Sequence, residues 1–168
     1  PIPGANRDAI LLVGVEPNYR WRTFSDLIAD LARDLGVELV VTLGALLADV
    51  PHTRPSPVTG AATDPQLVDE LGLQLSRYEG PTGIVGVLLD ACRRAGIPSV
   101  SLWAAVPHYV QLAPSPRAAR ALCERLAAVL YRRGITLVHL QRAIWLGCAR
   151  KYVALLSGSE HTPMLVTS

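Results

Sequence analysis

Residues 78–109, YEGPTGIVGVLLDACRRAGIPSVSLWAAVPHY, decide the fold because they predict a complete loop–helix–strand–loop unit. Gly96 ends the helix, since only glycine adopts a left-handed C-terminal cap without steric strain, and Pro98 prevents its continuation. Residues 99–103 then predict a short strand. The helix itself is indicated by apolar residues at helical spacing, which are Ile84, Val87, Leu88, Ala91 and Ala95.

The rest of the chain alternates apolar strand patterns with helical ones. Residues 9–15 are a continuous apolar run, which is typical of a strand covered on both faces, and residues 37–43 predict a second buried strand. A helix is predicted for residues 23–35 between them, and two further helices begin at Asp64-Pro65 and Ser115-Pro116. This order of elements predicts an α/β fold with a mostly parallel sheet and helices on both faces.

Composition narrows the class of protein. The chain has 168 residues, of which 50% are hydrophobic and 18% charged, as expected for one globular domain without a membrane-spanning segment. The net charge of +2 is carried by the basic residues 131–168, but so few charges favour a solvated end over nucleic-acid binding. The three cysteines have no metal-ligand spacing and predict reduced thiols in a cytoplasmic protein.

Polar residues follow the ends of the three predicted strands. Because parallel strands end at one edge of the sheet, where ligands usually bind, we expect a candidate pocket there. His52 and His108 both belong to a Val-Pro-His segment, in which proline fixes the backbone before the imidazole. Residues 79–83 would add backbone N–H groups at a helix start. The candidate pocket residues are Glu16, Asn18, Arg20, His52, Arg54, Glu79, Thr82, His108 and Tyr109.

Three interpretations of this edge stay open. The arginines could hold an anion while histidine or glutamate acts as acid or base. The same residues could instead brace long loops, or form a partner interface with Tyr19, Trp21, Trp103 and Tyr109. The sequence contains no phosphate-binding loop, dinucleotide motif or nucleophile elbow, and the histidine loops offer no close second zinc ligand. We therefore assign no catalytic residue, metal or cofactor.

Four blocks of sequence stand out in order along the chain. They are VGVEPN with RWRTF at residues 13–24, LGA with VPHTRP at residues 43–55, YEGPTGI at residues 78–84 and SLWAAVPHY at residues 101–109. Together they closely resemble the proteasome assembly chaperone 2 family, in particular its actinobacterial branch. The resemblance implies a three-layer α/β sandwich similar to purine nucleoside phosphorylases, homo-oligomers, and a role in assembling or chaperoning protein complexes.

Two departures from the family shape the expected domain organisation. Family members begin well upstream of residue 9, so we expect residues 1–130 to be a core α/β domain that is incomplete at its N-terminus. The family continues past Leu130 into an acidic, helix-rich tail, whereas residues 131–168 are basic. We interpret these residues as an unrelated C-terminal tail, and we expect a chain that ends at Leu130 to be no less stable.

The favoured function is a non-catalytic assembly or interaction protein that self-associates and has a proteasome-related protein client. The alternative is a small-molecule-binding protein, or a phosphorylase- or hydrolase-like enzyme, that takes an anionic or nucleoside-like ligand in the pocket. Whether the protein is an enzyme stays open. A catalyst needs a nucleophile or base within reach of the arginines, whereas an assembly protein needs an exposed apolar patch.

Overall fold

The computed structural model describes residues 8–74, 83–110, 115–132 and 152–157. Within these ranges the chain forms an α/β fold, and none of the helices is long and apolar enough to cross a bilayer. The strands are β1 Asp8–Val13, β2 Val37–Ala48, β3 Val58–Ala62, β4 Ser99–Pro107 and β5 Tyr152–Ser157. The helices are α1 Trp21–Asp34, α2 Pro65–Leu71, α3 Ile84–Arg94 and α4 Pro116–Arg132.

The strands form one mixed sheet in the order β1-β5-β2-β4-β3, so the expectation of a mostly parallel sheet is wrong. The three strands that the sequence predicts, β1, β2 and β4, do run in the same direction, but β5 lies antiparallel between β1 and β2. β3 pairs antiparallel with β4. The proline-rich segment before β3 predicts only extended backbone, and extended backbone becomes a strand when a neighbouring strand accepts its hydrogen bonds.

Helices cover both faces of the sheet and give it two cores. On one face, Val40 belongs to the same core cluster as Ile28 of α1 and Leu88 of α3. On the other face, Leu39 belongs to a cluster with Leu126 of α4. Adjacent residues of β2 therefore serve opposite cores, as the alternation of side chains along a strand requires.

The helix ends follow their sequence signals. Asp64 caps α2 by accepting a hydrogen bond from the Gln66 N–H at 2.9 Å, and Pro65 is the first helical residue, as predicted. The predicted left-handed conformation of Gly96 after α3 is confirmed by its φ of 71°. β2 and β4 extend further than the apolar runs predict, to Ala48 and Pro107. This extension places both Val-Pro-His segments directly at the ends of paired strands.

Candidate functional site

The parallel pairing of β2 and β4 brings the two Val-Pro-His segments together. Ala48 and Pro107 are register partners at the strand ends, and the His108 N–H donates to the Ala48 carbonyl at 3.3 Å. The chain leaves the sheet at the same place after each strand. His52 and His108 are both exposed there.

Tyr109 links the two histidine loops. Its hydroxyl accepts a hydrogen bond from the His52 N–H at 2.8 Å and lies 3.0 Å from the His52 Nδ1. The hydroxyl can donate to that nitrogen when it carries no proton. The ring of Tyr109 also makes edge contacts with both imidazoles, at centroid distances of 5.9 Å to His52 and 5.4 Å to His108. Tyr109 therefore fixes the orientation of the His52 ring.

Arg117, in the first turn of α4, holds the loop that follows β2. Its guanidinium donates to the carbonyl of His52 and to that of Arg54, the latter at 3.2 Å. No sequence pattern identifies Arg117, because its partners lie 65 and 63 positions away and are backbone carbonyls, which leave no sequence motif. The predicted helix start at Ser115-Pro116 was the one local signal that could have directed attention to it.

His108 lies beside a carboxylate. The His108 Nδ1 is 3.9 Å from the Asp49 Oδ1, which makes an ion pair when the imidazole is protonated. Both side chains are exposed to solvent, so the pair contributes little to stability.

A cavity of about 260 Å³ opens beside these loops, slightly smaller than the range of roughly 300–1,000 Å³ common for small-molecule sites. The lining combines two arginines and a histidine with apolar side chains, and this combination with the small volume suits a small anion better than a large ligand. Its polar lining is His52, Arg54, Ser56, Ser115 and Arg117.

The end of β1 holds a separate group of candidates. The Glu16 Oε1 accepts a hydrogen bond from the Ile84 N–H at 3.1 Å, at the start of α3. The chain's own carboxylate therefore occupies the helix N-terminus that the sequence offered to an external anion. Asn18 and Arg20 are exposed in the β1–α1 loop, and the described contacts do not join them to the histidine loops. Arg20 has a φ of 57°, and its carbonyl accepts the Phe24 N–H.

Two candidates, Glu79 and Thr82, lie outside the described residues. Of the remaining seven, the structure groups four at the β2–β4 end and keeps three at the β1 end. In the part of the chain that the structure describes, no three His, Cys, Asp or Glu side chains are placed to hold a metal.

Cys92 is a core residue of α3. It is fully buried, and burial raises the pKa of its thiol. A thiol with a raised pKa is a poor nucleophile at neutral pH. Cys92 therefore packs the core, while Cys123 is half-buried on α4 and Cys148 lies outside the described residues.

Trp21 and Trp103, which the sequence offers to a partner interface, are half-buried and hydrogen-bonded within the chain. The Trp103 Nε1 donates to the Ser101 Oγ at 2.7 Å, and a Cβ atom on Gly44 would come within 2.6 Å of the Trp103 ring. The Trp21 Nε1 donates to the Pro17 carbonyl. Four other large side chains at or just beyond the strand ends are instead exposed: Val15, Tyr19, Leu47 and Tyr109.

These features define a class of protein: a three-layer α/β domain with a mixed sheet, whose loops at one strand edge carry both braced polar groups and exposed apolar side chains. The sequence profile of the PAC2 family matches residues 2–141. The chain therefore belongs to the PAC2 family, which confirms the resemblance that the four sequence blocks indicate. No curated protein matches the chain.

Solved structures support the same assignment. The PAC2 family protein of Streptomyces avermitilis is 50% identical, with a TM-score of 0.69 over 78% of this chain and 55% of that one. A proteasome-assembly chaperone homologue of Mycobacterium tuberculosis is also 50% identical, with a TM-score of 0.67 over 80% of this chain and 55% of that one. PbaA of Pyrococcus furiosus, an archaeal homologue of proteasome-assembly chaperone, shares the fold at 22% identity and a TM-score of 0.59, over 75% of this chain and 55% of that one. The chain thus spans 55% of the length of these relatives.

Proposed function

We propose that the chain is a non-catalytic assembly protein that binds a proteasome-related protein client. The kinship with a proteasome-assembly chaperone homologue at 50% identity favours this class of function. The observation that carries the proposal is the exposure of Val15, Tyr19, Leu47 and Tyr109, which ranges from 51% to 89%.

Exposed apolar side chains near one edge favour a protein partner. Isolated surface leucines are ordinary, but several large apolar and aromatic groups at the same edge of a sheet offer a surface for a protein partner. Tyrosine in particular presents a large contact area with few rotatable bonds.

The hydrogen bonds of the polar side chains at this edge of the sheet favour a structural role over a catalytic one. Glu16 caps α3, Tyr109 binds His52 through its hydroxyl, and Arg117 binds two loop carbonyls. Each of these side chains is used to hold the loops in place. A rigid frame of this kind pre-organises the exposed side chains for a partner, which lowers the entropy lost on binding.

The client should be identified by direct binding. Purified proteasome subunits would be titrated against the wild type, a Tyr19→Ser and Leu47→Ser double variant, and a Tyr131→Ser control. Tyr131 is 74% exposed on α4 and lies outside the proposed surface. We expect the double variant to bind at least about tenfold more weakly, because two anchors of 1 kcal/mol or more are lost, and the control to bind as the wild type does. Equal affinity of all three proteins would refute the proposed surface.

We further propose that the protein acts in the cytoplasm as a homo-oligomer. Its three-layer α/β sandwich would be similar to that of purine nucleoside phosphorylases, as the family resemblance implies. Self-association would present several copies of the client-binding edge at once. Such multivalency raises apparent affinity without new contacts when the geometry allows simultaneous binding.

A second function, binding of a small anionic or nucleoside-like ligand, is favoured by the cavity beside Arg54 and Arg117. We would measure melting temperature with inorganic phosphate and with a nucleoside monophosphate. Stabilisation of the wild type and of an Arg120→Ala control, but not of Arg54→Ala, would support the pocket, since Arg120 is exposed on the same helix as Arg117. Stabilisation that survives Arg54→Ala, or none at millimolar ligand, would count against it.

A further inference from the structure

The cavity beside the two histidine loops, about 260 Å³ in volume, is lined by basic and apolar side chains. Its basic residues are His52, Arg54 and Arg117, and the lining that the structure describes contains no aspartate or glutamate. α4 begins at the cavity and has no acidic residue in its first turn, so the positive end of its dipole adds to the same charge. The cavity therefore suits an anionic group that is attached to an apolar one.

The guanidinium of Arg54 is accessible to a ligand. Arg54 is exposed, and its side chain makes no hydrogen bond or ion pair with another described residue, although its carbonyl accepts one from Arg117. A guanidinium has five N–H donors in one plane, and two of them match the two oxygens of a carboxylate. Arg54 can therefore bind a carboxylate without giving up a contact that the described fold uses.

Arg117 and His52 are held in place at the same cavity. Arg117 donates to the two loop carbonyls through Nη1 alone, so Nε and Nη2 keep donors for other acceptors. When the Tyr109 hydroxyl donates to the His52 Nδ1, the proton of the neutral imidazole lies on Nε2, which then becomes a donor. Donors that are already held in position lose little entropy when a ligand binds.

An exposed apolar side chain lies next to the cavity. Leu47 is four residues after Leu43 on β2, so both side chains lie on the face of the sheet that packs against Leu126 of α4. Its register partner on β4 is Val106, which lines the cavity and packs against the same core. Leu47 itself is 71% exposed. Apolar surface therefore continues from the cavity to the edge that we propose for the client.

The size of the cavity favours the end of a peptide chain. Its volume is below that of most small-molecule sites, which suits a single terminal residue. An acidic side chain within a loop would bring two stretches of backbone over the cavity, whereas a C-terminal residue brings its carboxylate with only one. Capture of a C-terminal carboxylate by fixed donors is a recurring mode of peptide recognition.

We propose that this cavity binds the C-terminal carboxylate of a protein client whose last residue is apolar. Arg54 pairs with the carboxylate, while His52 and Arg117 donate further hydrogen bonds to it. The last side chain of the client lies against Val106, and the residues before it contact Leu47. This assignment rests on the proposed function, because it names the part of the client that the edge recognises.

Peptide binding tests the role of the carboxylate. A fluorescein-labelled hexapeptide of serine and alanine that ends in leucine would be compared, by fluorescence anisotropy, as the free acid and as the C-terminal amide. We expect the wild type to bind the acid at least about tenfold more tightly, because hydrogen bonds to a charged acceptor are stronger than those to a neutral one. Equal affinities, or no binding of the acid at millimolar concentration, would overturn the proposal.

Arg54→Ala tests where the carboxylate binds. This variant should bind the acid and the amide with similar affinity, because the preference depends on the guanidinium. Arg120→Ala is the matched control, since Arg120 is exposed on α4 outside the cavity lining, and it should keep the preference of the wild type. A preference for the acid that survives Arg54→Ala would contradict this site.

Shortened clients separate this assignment from the proposed function. A proteasome subunit that binds the wild type would be titrated again without its last few residues. If the shortened subunit binds equally well, the carboxylate site is wrong and client binding stands. If no subunit binds but the peptide acid is preferred over the amide, the carboxylate site stands without that client. Stabilisation by inorganic phosphate without binding of the peptide acid would favour the small-anion function and overturn this one.

Discussion

The two outer strands of the sheet differ in how they are closed. At β3 the chain covers its own edge, because the Gly60 N–H donates to the Gln74 carbonyl at 2.8 Å. β3 is also short, and Pro55 and Pro57 precede it. Among the described residues, nothing similar covers β1. Within the described residues, the difference is therefore that one outer strand is partly covered by its own chain and the other is not.

The polar contacts between α2 and α4 differ in kind from those between α1 and α3. On the β3 side, Arg125 of α4 donates to the carbonyls of Leu71 and Gly72, at the C-terminus of α2. On the β1 side, α1 and α3 share a buried core, and the polar side-chain contact described between them is the exposed pair of Arg94 and Asp26. Hydrogen bonds to helix-end carbonyls satisfy groups that would otherwise lack partners, while exposed ion pairs contribute little. We therefore expect substitutions near β3 to cost more stability than substitutions near β1.

Removal of β5 should have the largest effect, because this strand joins β1 to β2. A chain that ends at Arg132 should melt at least about 10 °C lower than the full chain, or lose cooperative unfolding, since β1 would have no strand beside it. Circular dichroism during heating measures this. A chain that ends at Ser157 retains β5 and serves as the control. If the Arg132 chain is as stable as the full one, the hypothesis of an unrelated C-terminal tail is favoured instead.

Gly60→Ala tests how tightly β3 packs against β4. A Cβ atom on Gly60 would lie 3.0 Å from the Ser101 carbonyl oxygen, so the paired strands must shift. We expect unfolding in urea to show a loss of about 1–3 kcal/mol. Gly14→Ala, just after β1, is the matched control because its Cβ would meet nothing within 4 Å, and we expect a change within about 0.5 kcal/mol. Similar losses at both positions would contradict the tight contact at β3.

Arg125→Ala should remove the brace on α2. The substitution leaves the Leu71 carbonyl, at a partly buried helix end, without this donor, and we expect a loss of about 1–2 kcal/mol in urea unfolding. Arg120→Ala, on the same helix, breaks only the exposed pair with Glu124 and should leave the stability almost unchanged. If both variants lose the same stability, the contact with α2 contributes no more than a surface ion pair.

The sequence predicts those elements whose signals are local. α2 follows from Asp64-Pro65, and the end of α3 follows from Gly96, because a cap depends on the residues beside it. β3 and β5 do not follow, because a short strand takes its structure from the strand next to it. The meeting of the two Val-Pro-His segments was predicted from strand direction alone. The hydrogen bond between Tyr109 and His52 spans 57 positions, so only the folded chain reveals it.

Removal of an exposed charge from α3 should have the smallest effect on stability, and this effect should depend on pH. Hydrogen bonds from Arg93, at 2.6 Å, and Arg94, at 3.1 Å, lower the pKa of Asp90. A carboxyl whose pKa is lower in the folded state stabilises the protein above its unfolded pKa of about 4, and loses that contribution as the pH falls through the folded value.

We therefore expect Asp90→Asn to lower the melting temperature slightly at pH 7 and to have a smaller effect at pH 2, where more of the wild-type carboxyl is protonated. Added salt at pH 7 should shrink the difference in the same way, because it screens exposed charges. Differential scanning calorimetry of both proteins measures this. A difference that is the same at both pH values would mean that Asp90 acts through packing rather than charge. The charged contacts of α1 and α3 would then contribute little to stability. The two sides of the sheet would differ only in how their outer strands are covered.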